Sequence, residues 1–358
     1  MTAGSDGSDG FDGAGSAAYD LVTLGETMGL VVAAGTGPMR AGQQATISFG
    51  GAESNVAVGV ARLGHAACWF GRLGDDPIGQ MIAGTLRGEG IAVYAATDPE
   101  RPTGLMLREH RTADRIRVSY YRRDLAGARL RPHDLDLDVI RRARVLHVSG
   151  ITPALSKDAG DTLEHAVSAA KDAGVPVSFD VNYRSALWSR SEAAARLVEV
   201  AAHADIVFAG VDEADLLVED VLGGADHAAE EGADADASAD EALDPATLAA
   251  SVAELGPREV VLKLGAEGAY AWARDPDHRT VEAVRAPAVP ISVADPVGAG
   301  DAFVAGYLSA LLDGLPLAAR ATRGNVCGAF AASVAMDWEG APRRHELSML
   351  DGVEAVSR

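Results

Sequence analysis

Short β-rich runs separated by helical stretches of about 10 to 15 residues recur along this chain, and no other feature of the sequence constrains its fold so tightly. The runs are 20–26 (DLVTLGE), 67–74 (ACWFGRLG), 144–150 (RVLHVSG), 177–182 (VSFDVN), 205–210 (DIVFAG) and 258–265 (REVVLKLG). Helical patterns over 52–63, near 77–89, at 158–173 and near 191–203 fall between them. Strands alternating with helices imply βαβ units, hence a doubly wound, mostly parallel sheet flanked by helices. Toward the C-terminus, roughly 300–336 reads as two Ala-rich helices broken at Asp313-Gly314-Leu315-Pro316.

Two segments depart from that rhythm. Residues 28–50 and 103–123 read as successive strands (MGLVV, ATISF, TGLMLREH, RIRVSYYR), rich in β-branched and apolar residues. Distant in sequence but alike in kind, they are expected to form a small β-sheet lid; the alternative is an edge extension of the main sheet. Residues 1–18 are Gly, Ser, Asp and Ala with little to bury, and are expected to be a disordered tail. Residues 221–243 are expected to be an acidic surface insertion, which leaves 19–345 as one catalytic-sized domain.

Charge excludes some partners. The net charge is −21, and acids without a Lys or Arg among them fill residues 1–20 and the tract from Glu219 to Asp244. No global positive field exists to hold a phosphate backbone or an anionic lipid surface, so neither nucleic acid nor membrane is an expected partner. Cys68 and Cys327 lie far apart in apolar surroundings and make neither a disulfide framework nor a metal cluster. With no basic-then-apolar leader and no apolar run long enough to span a bilayer, a cytoplasmic protein is expected.

Two motifs can carry chemistry. In Asp295-Pro-Val-Gly-Ala-Gly-Asp301-Ala-Phe, a tight turn precedes an Ala-rich helical run, so the backbone N–H groups of Gly298, Ala299 and Gly300 converge at a helix start, an arrangement that binds anions. Asp301 in the first turn could take a proton from an attacking hydroxyl. Alone, the same residues serve equally well as a plain turn followed by an acid favoured by the helix dipole. The loop is no dinucleotide fingerprint, since Phe303 stands where a third glycine belongs, and no P-loop, since none of Lys157, Lys171 and Lys263 follows a glycine. The second motif is Gly50-Gly51-Ala-Glu-Ser-Asn55, where paired glycines admit a ligand close to the backbone and Asn55 offers donor and acceptor to a polyol.

Taken together, in this order and at this separation, the two motifs resemble the paired signatures of the ribokinase-like, or phosphofructokinase B type, carbohydrate kinases, from about Tyr19 to about Gly340. The resemblance implies a doubly wound body with a β-sheet lid over the sugar, and transfer of the ATP γ-phosphate to a sugar hydroxyl with Mg²⁺. It makes Asp301 the catalytic base and Gly298, Ala299 and Gly300 the anion hole. Finer matches, Tyr120-Tyr121-Arg122, the run 145–156 (VLHVSGITPALS) and Asp180-Val-Asn182-Tyr-Arg184, look like the 2-keto-3-deoxygluconate kinases of that family. A keto acid needs cationic and hydroxyl donors for its carboxylate, and Tyr120 and Arg122 share one face of a strand. Gly51, Asn55, Tyr120, Arg122 and Arg184 are therefore the substrate candidates. Without the family, Tyr120 and Arg122 would read as a solvated sheet face and Arg184 as a surface ion-pair partner.

For the nucleotide, the resemblance points to Lys263, one of only three lysines among 31 basic residues, and to Gly265, Gly268, Asn182 and Asn325. Any of these could instead be an ordinary turn, strand-end or helix residue. The sequence also departs from the family. An expected Asn-x-x-Glu appears as Gly210-Val-Asp-Glu213, which leaves Glu213 as an indirect Mg²⁺ candidate, and Pro296 replaces a Thr of the signature, putting a monovalent cation site in doubt. Exposed lid edges favour pairing between copies, so a homo-oligomer is expected.

Overall fold

The computed structural model describes residues 18–112, 115–219, 243–275, 277 and 280–350. The expected tail and acidic insertion, apart from Ala18 and Leu243, lie outside the described residues. Among the described residues thirteen strands are formed: β1 (Tyr19–Leu24), β2 (Met28–Thr36), β3 (Ala45–Gly50), β4 (Ala67–Gly74), β5 (Ala92–Asp98), β6 (Leu105–Thr112), β7 (Arg115–Tyr121), β8 (Ala143–Ser149), β9 (Val177–Asp180), β10 (Ile206–Gly210), β11 (Glu259–Lys263), β12 (Ala269–Arg274) and β13 (Val281–Ala286).

Nine of them make the main sheet, in the order β13-β12-β11-β10-β9-β8-β1-β4-β5. Every pair from β11 to β5 is parallel, while β12 and β13 add an antiparallel edge. The six strands expected from the sequence form the body of this sheet. β5, β12 and β13 were not foreseen because their Ala-rich sequences (AVYAATD, AYAWAR, VEAVRA) lack the β-branched density that marks a strand. The expected helices appear at Ala52–Arg62, Pro77–Gly88, Lys157–Asp172, Arg190–His203, Ala299–Leu312 and Leu317–Ala332.

Apolar layers cover both faces of the sheet, as a parallel sheet requires. On one face Phe208 of β10 meets Tyr307 edge-on, with ring centroids 5.1 Å apart, and lies near Phe303. Such an aromatic pair contributes about 0.5–1.5 kcal/mol beyond its buried area. Here it seats the helix Ala299–Leu312 on the sheet.

The remaining strands form a separate four-stranded sheet in the order β3-β2-β6-β7. Its centre is the parallel pair β2/β6, which joins the two sequence segments that broke the βα rhythm; they are no edge extension of the main sheet. Alternation sorts its faces. Leu30, Val32, Met106 and Arg108 are buried toward the body, while Val31 and Leu107 point outward beside the exposed Ile47.

Candidate active site

After β1 the chain adds β4 and β5 on one side and β8 on the other, which leaves a crevice past the carboxyl ends of β1 and β8. Open α/β sheets bind ligands at such a switch point. A cleft of about 770 Å³ lies there, roofed by Met106, Val118 and Tyr120 of the small sheet. Its floor carries residues at or just past strand ends: Glu26 after β1, Asp180 and Asn182 at β9, Glu213 after β10 and Lys263 at β11.

Asp301 sits in the first turn of the helix Ala299–Leu312. The turn before it works because Gly298 adopts φ +79°, and a β-carbon there would stand 1.9 Å from the main-chain oxygen of Asp337. First-turn amides of a helix have no intrahelical acceptor, so this end is a donor-rich, positively polarised site. Gly298, Gly300 and Asp301 line the cleft. Ala299, between them, donates its N–H to the carbonyl of Pro296 at 3.3 Å.

Asn55, from the helix Ala52–Arg62, donates its Nδ2–H to Asp301 Oδ2 at 2.8 Å. The two helices can meet so closely because a β-carbon on Gly59, one turn beyond Asn55, would lie 2.5 Å from the Cβ of Ala305, one turn beyond Asp301. Burial raises the Asp301 carboxyl to about 7; the Asn55 donor opposes it, nearby Asp180 adds to it, and Arg184 and Lys263 pull it back. A carboxyl poised near neutrality is suited to accept a proton.

Lys263 Nζ bridges both oxygens of Asp180 at 2.8 and 2.9 Å and lies beside Gly300. Burial works against its charge, but the carboxylates of Asp180 and Glu213 outweigh burial and keep its pKa above the ordinary value. Glu213 accepts from the N–H groups of Gly210 (2.7 Å) and Tyr183 (3.0 Å), capping the helix Val211–Val218. A second recess, lined by Tyr183, Gly210, Glu213, Lys263, Leu264 and Glu267, shares Lys263 and Glu213 with the main cleft. Among the described residues no cluster of three or more His, Cys, Asp or Glu side chains is arranged to hold a metal ion.

On the opposite wall Gly51 lets the backbone pass the carbonyl of Glu26, 2.3 Å from where a β-carbon would sit. Tyr120 and Arg122 share one face of the small sheet's end, the guanidinium 5.8 Å from the ring centroid. Arg122 is not free, however: its Nε donates to the buried Glu26 at 2.6 Å. Arg184 stands exposed at the cleft mouth, donating to the carbonyl of Tyr183. Asn182 takes φ +42°, unusual for a residue other than glycine and tolerated best by Asn and Asp.

Residues 18–337 match the profile of the pfkB family of carbohydrate kinases. The chain belongs to this family. It is similar to the 2-dehydro-3-deoxygluconokinase of Bacillus subtilis (strain 168), 33% identical over 92% of this chain and 94% of that protein. It is also similar to the 2-dehydro-3-deoxygalactonokinase of Haloferax volcanii, 32% identical over 83% of this chain and 86% of that protein. Among solved structures, a PfkB protein from Polaromonas sp. JS666 superposes with a TM-score of 0.77 at 32% identity, covering 92% of this chain and 99% of that one. The protein is thus an ATP-dependent carbohydrate kinase with the ribokinase-like architecture expected of it.

Within this pfkB kinase, Gly51, Asn55, Tyr120, Arg122, Asn182, Arg184, Glu213, Lys263, Gly298, Gly300 and Asp301 come together around one cleft. Gly265, Gly268 and Asn325 do not line it. Gly268 packs against the carbonyl of Ala286, and Asn325 Nδ2 donates to the carbonyls of Ala286 (3.0 Å) and Pro287 (2.9 Å), bracing the helix Leu317–Ala332 against β13. Sequence reasoning missed Glu26, Glu53 and Arg108, and gave Asp180 no role of its own. Glu53 is buried and accepts from Ser149 and Thr152 at 2.7 and 2.8 Å, tying the Gly50-Gly51 motif to the end of β8. An acid ending the apolar run VSFD was the available signal for Asp180.

Proposed function

We propose that the protein phosphorylates the terminal hydroxyl of 2-keto-3-deoxygluconate with ATP, giving the 6-phosphate and ADP. The observation that carries this reading is Asp301: a carboxyl lifted to about 7 at a helix N-terminus, hydrogen-bonded to Asn55, in a cleft also lined by Arg122 and Arg184. Asp301 takes the proton of the substrate hydroxyl, whose oxygen forms the new bond to the γ-phosphorus as the bond to the ADP oxygen breaks. The Gly298 and Gly300 amides and Lys263 face the transferred charge, and positioning does most of the work in such a transfer. The nucleotide occupies the recess beyond Lys263, toward Gly265, Gly268 and Asn325.

Arg122 and Arg184, with Tyr120, Gly51 and Asn55, hold the sugar acid. The carboxylate competes with Glu26 for Arg122, an exchange that a neutral sugar has no means to drive. Mg²⁺ neutralises phosphate charge when bound. The oxygens of Asp180 and Glu213 already accept from Lys263 and main-chain N–H groups, which fits an ion held mainly by phosphate and water, with Glu213 acting indirectly. We further read the protein as cytoplasmic and as a homo-oligomer formed through the outer face of the small sheet.

The likeness to a 2-dehydro-3-deoxygalactonokinase favours a second reading, the C4 epimer as substrate. The test is ADP release with MgATP against the gluconate and galactonate keto acids, fructose and ribose. Turnover with a keto acid, abolished in Asp301→Asn, is expected. Arg122→Ala and Arg184→Ala should raise KM for the acid far more than for a neutral sugar. A preference for fructose or ribose would overturn the assignment of the arginines, and full turnover by Asp301→Asn would overturn that of the base.

A further inference from the structure

One buried cation that lines the cleft, Arg108, has no part in the transfer proposed above. Arg108, on the cleft-facing side of β6, is 1% exposed. Its Nη1 donates to Asp295 Oδ2 at 3.1 Å, and its Nη2 to Asp337 Oδ1. Asp295 is itself fully buried and accepts the N–H of Val297 at 2.9 Å, thereby shaping the turn that leads to Gly298. Asp337 touches the same turn from the other side, its carbonyl filling the space where a side chain on Gly298 would go. Its Oδ2 lies 2.1 Å from where a β-carbon on Gly50 would stand, at the start of the Gly50-Gly51 motif.

We propose that Arg108, Asp295 and Asp337 form a positioning unit that fixes the Gly298–Asp301 turn in register with the small sheet and with the Gly50-Gly51 motif. This rests on the reading of that turn as the phosphate-binding and proton-accepting element. The guanidinium suits the task because its planar fork holds two carboxylates from different chain segments at once, which a lysine's single ammonium does not reproduce. A fully buried arginine left unpaired is strongly destabilising, so the three residues lock together or not at all. The small sheet, the anion-binding turn and the segment carrying Asp337 then move as one body when the cleft is occupied.

The test is the kinetics of Arg108→Lys and of the charge-compensated double variant Arg108→Met/Asp337→Asn, with rates normalised to folded protein and Tm recorded alongside. The lysine variant should lose about 10- to 100-fold in kcat, as misplacement by an ångström does, while KM for both substrates changes less than about threefold. The double variant, which keeps the net charge of the cluster and leaves Asp295 the N–H of Val297 as its partner, should melt lower but fold, and be slowed at least as much. A lowered Tm with kcat of the parent enzyme in both variants would overturn the proposal and leave a merely structural ion cluster. A raised KM with unchanged kcat would overturn it too, because the unit would then act on binding. Asp301→Asn run in parallel separates the two layers: if it retains turnover, the reading of the turn fails, whereas its inactivity beside fully active Arg108 variants sinks only the positioning unit.

Discussion

As the proposed base, Asp301 has to be enclosed and ionised at once, and these demands conflict. Burial favours its neutral form and brings its pKa to about 7, with the Asn55 donor as the main influence in the opposite direction. A base must be deprotonated, so kcat/KM is expected to rise with pH through about 7 and then level off. Asn55→Ala removes the donor that favours the carboxylate, and the rising limb should move to higher pH; a limb that stays in place would mean another group titrates. Stability follows with a definite sign. A carboxyl whose folded pKa exceeds its ordinary 3.8 binds more protons folded than unfolded, so stability declines as pH rises from 3.8 to about 7. Asp301→Asn, free of that penalty, should melt higher than the parent at pH 8 while turning over far more slowly, and the gap in Tm should close toward pH 4. Equal Tm at pH 8 would refute the burial argument.

At the scale of elements, the site depends on how closely the helices Ala52–Arg62 and Ala299–Leu312 cross. Alanine is favoured over glycine in a helix interior by roughly 1 kcal/mol, so Gly59→Ala would stabilise an isolated helix. Here the added methyl would sit 2.5 Å from Ala305, which forces the helices apart and draws Asn55 from Asp301. A lower Tm and the same alkaline shift as Asn55→Ala are expected. Gly84→Ala, in the helix Pro77–Gly88 with nothing within 4 Å, is the control and should raise Tm. An increase in both variants would refute the crossing argument.

Such pairings mark the limit of what the sequence conveys. The βα rhythm announced the parallel sheet, and the two turn motifs announced Asp301 and Gly51, because turn chemistry and periodicity are local properties. Gly59 facing Ala305, Arg108 reaching Asp295 and Asp337, and Glu26 holding Arg122 depend on residues 96 to 246 positions apart, and no local pattern encodes such distances. The Ala-rich β12 and β13 escaped for a related reason: their strand character comes from pairing with β11, not from their own side chains.

For the molecule as a whole, the small sheet poses a physical problem. Its inner face is covered by the cleft and the body, but its outer face carries Ile47 at 62% exposure and Tyr121 at 55%, beside Val31 and Leu107, and among the described residues β3 and β7 are its unpaired edges. A four-stranded sheet with one apolar face in water is stabilised by covering that face, and a second copy of the same sheet has the matching chemistry. Opposing this, each copy carries a net charge of −21, so two copies repel at long range. Salt should separate these effects. Screening weakens the repulsion over about 10 Å at 0.1 M ionic strength and leaves apolar contact intact, so the sedimentation-averaged mass should increase as NaCl is raised from 20 to 300 mM. Ile47→Lys should keep the protein monomeric across that range. A mass that falls with salt would instead indicate association through ion pairs, and an Ile47→Lys protein that still associates would place the interface elsewhere.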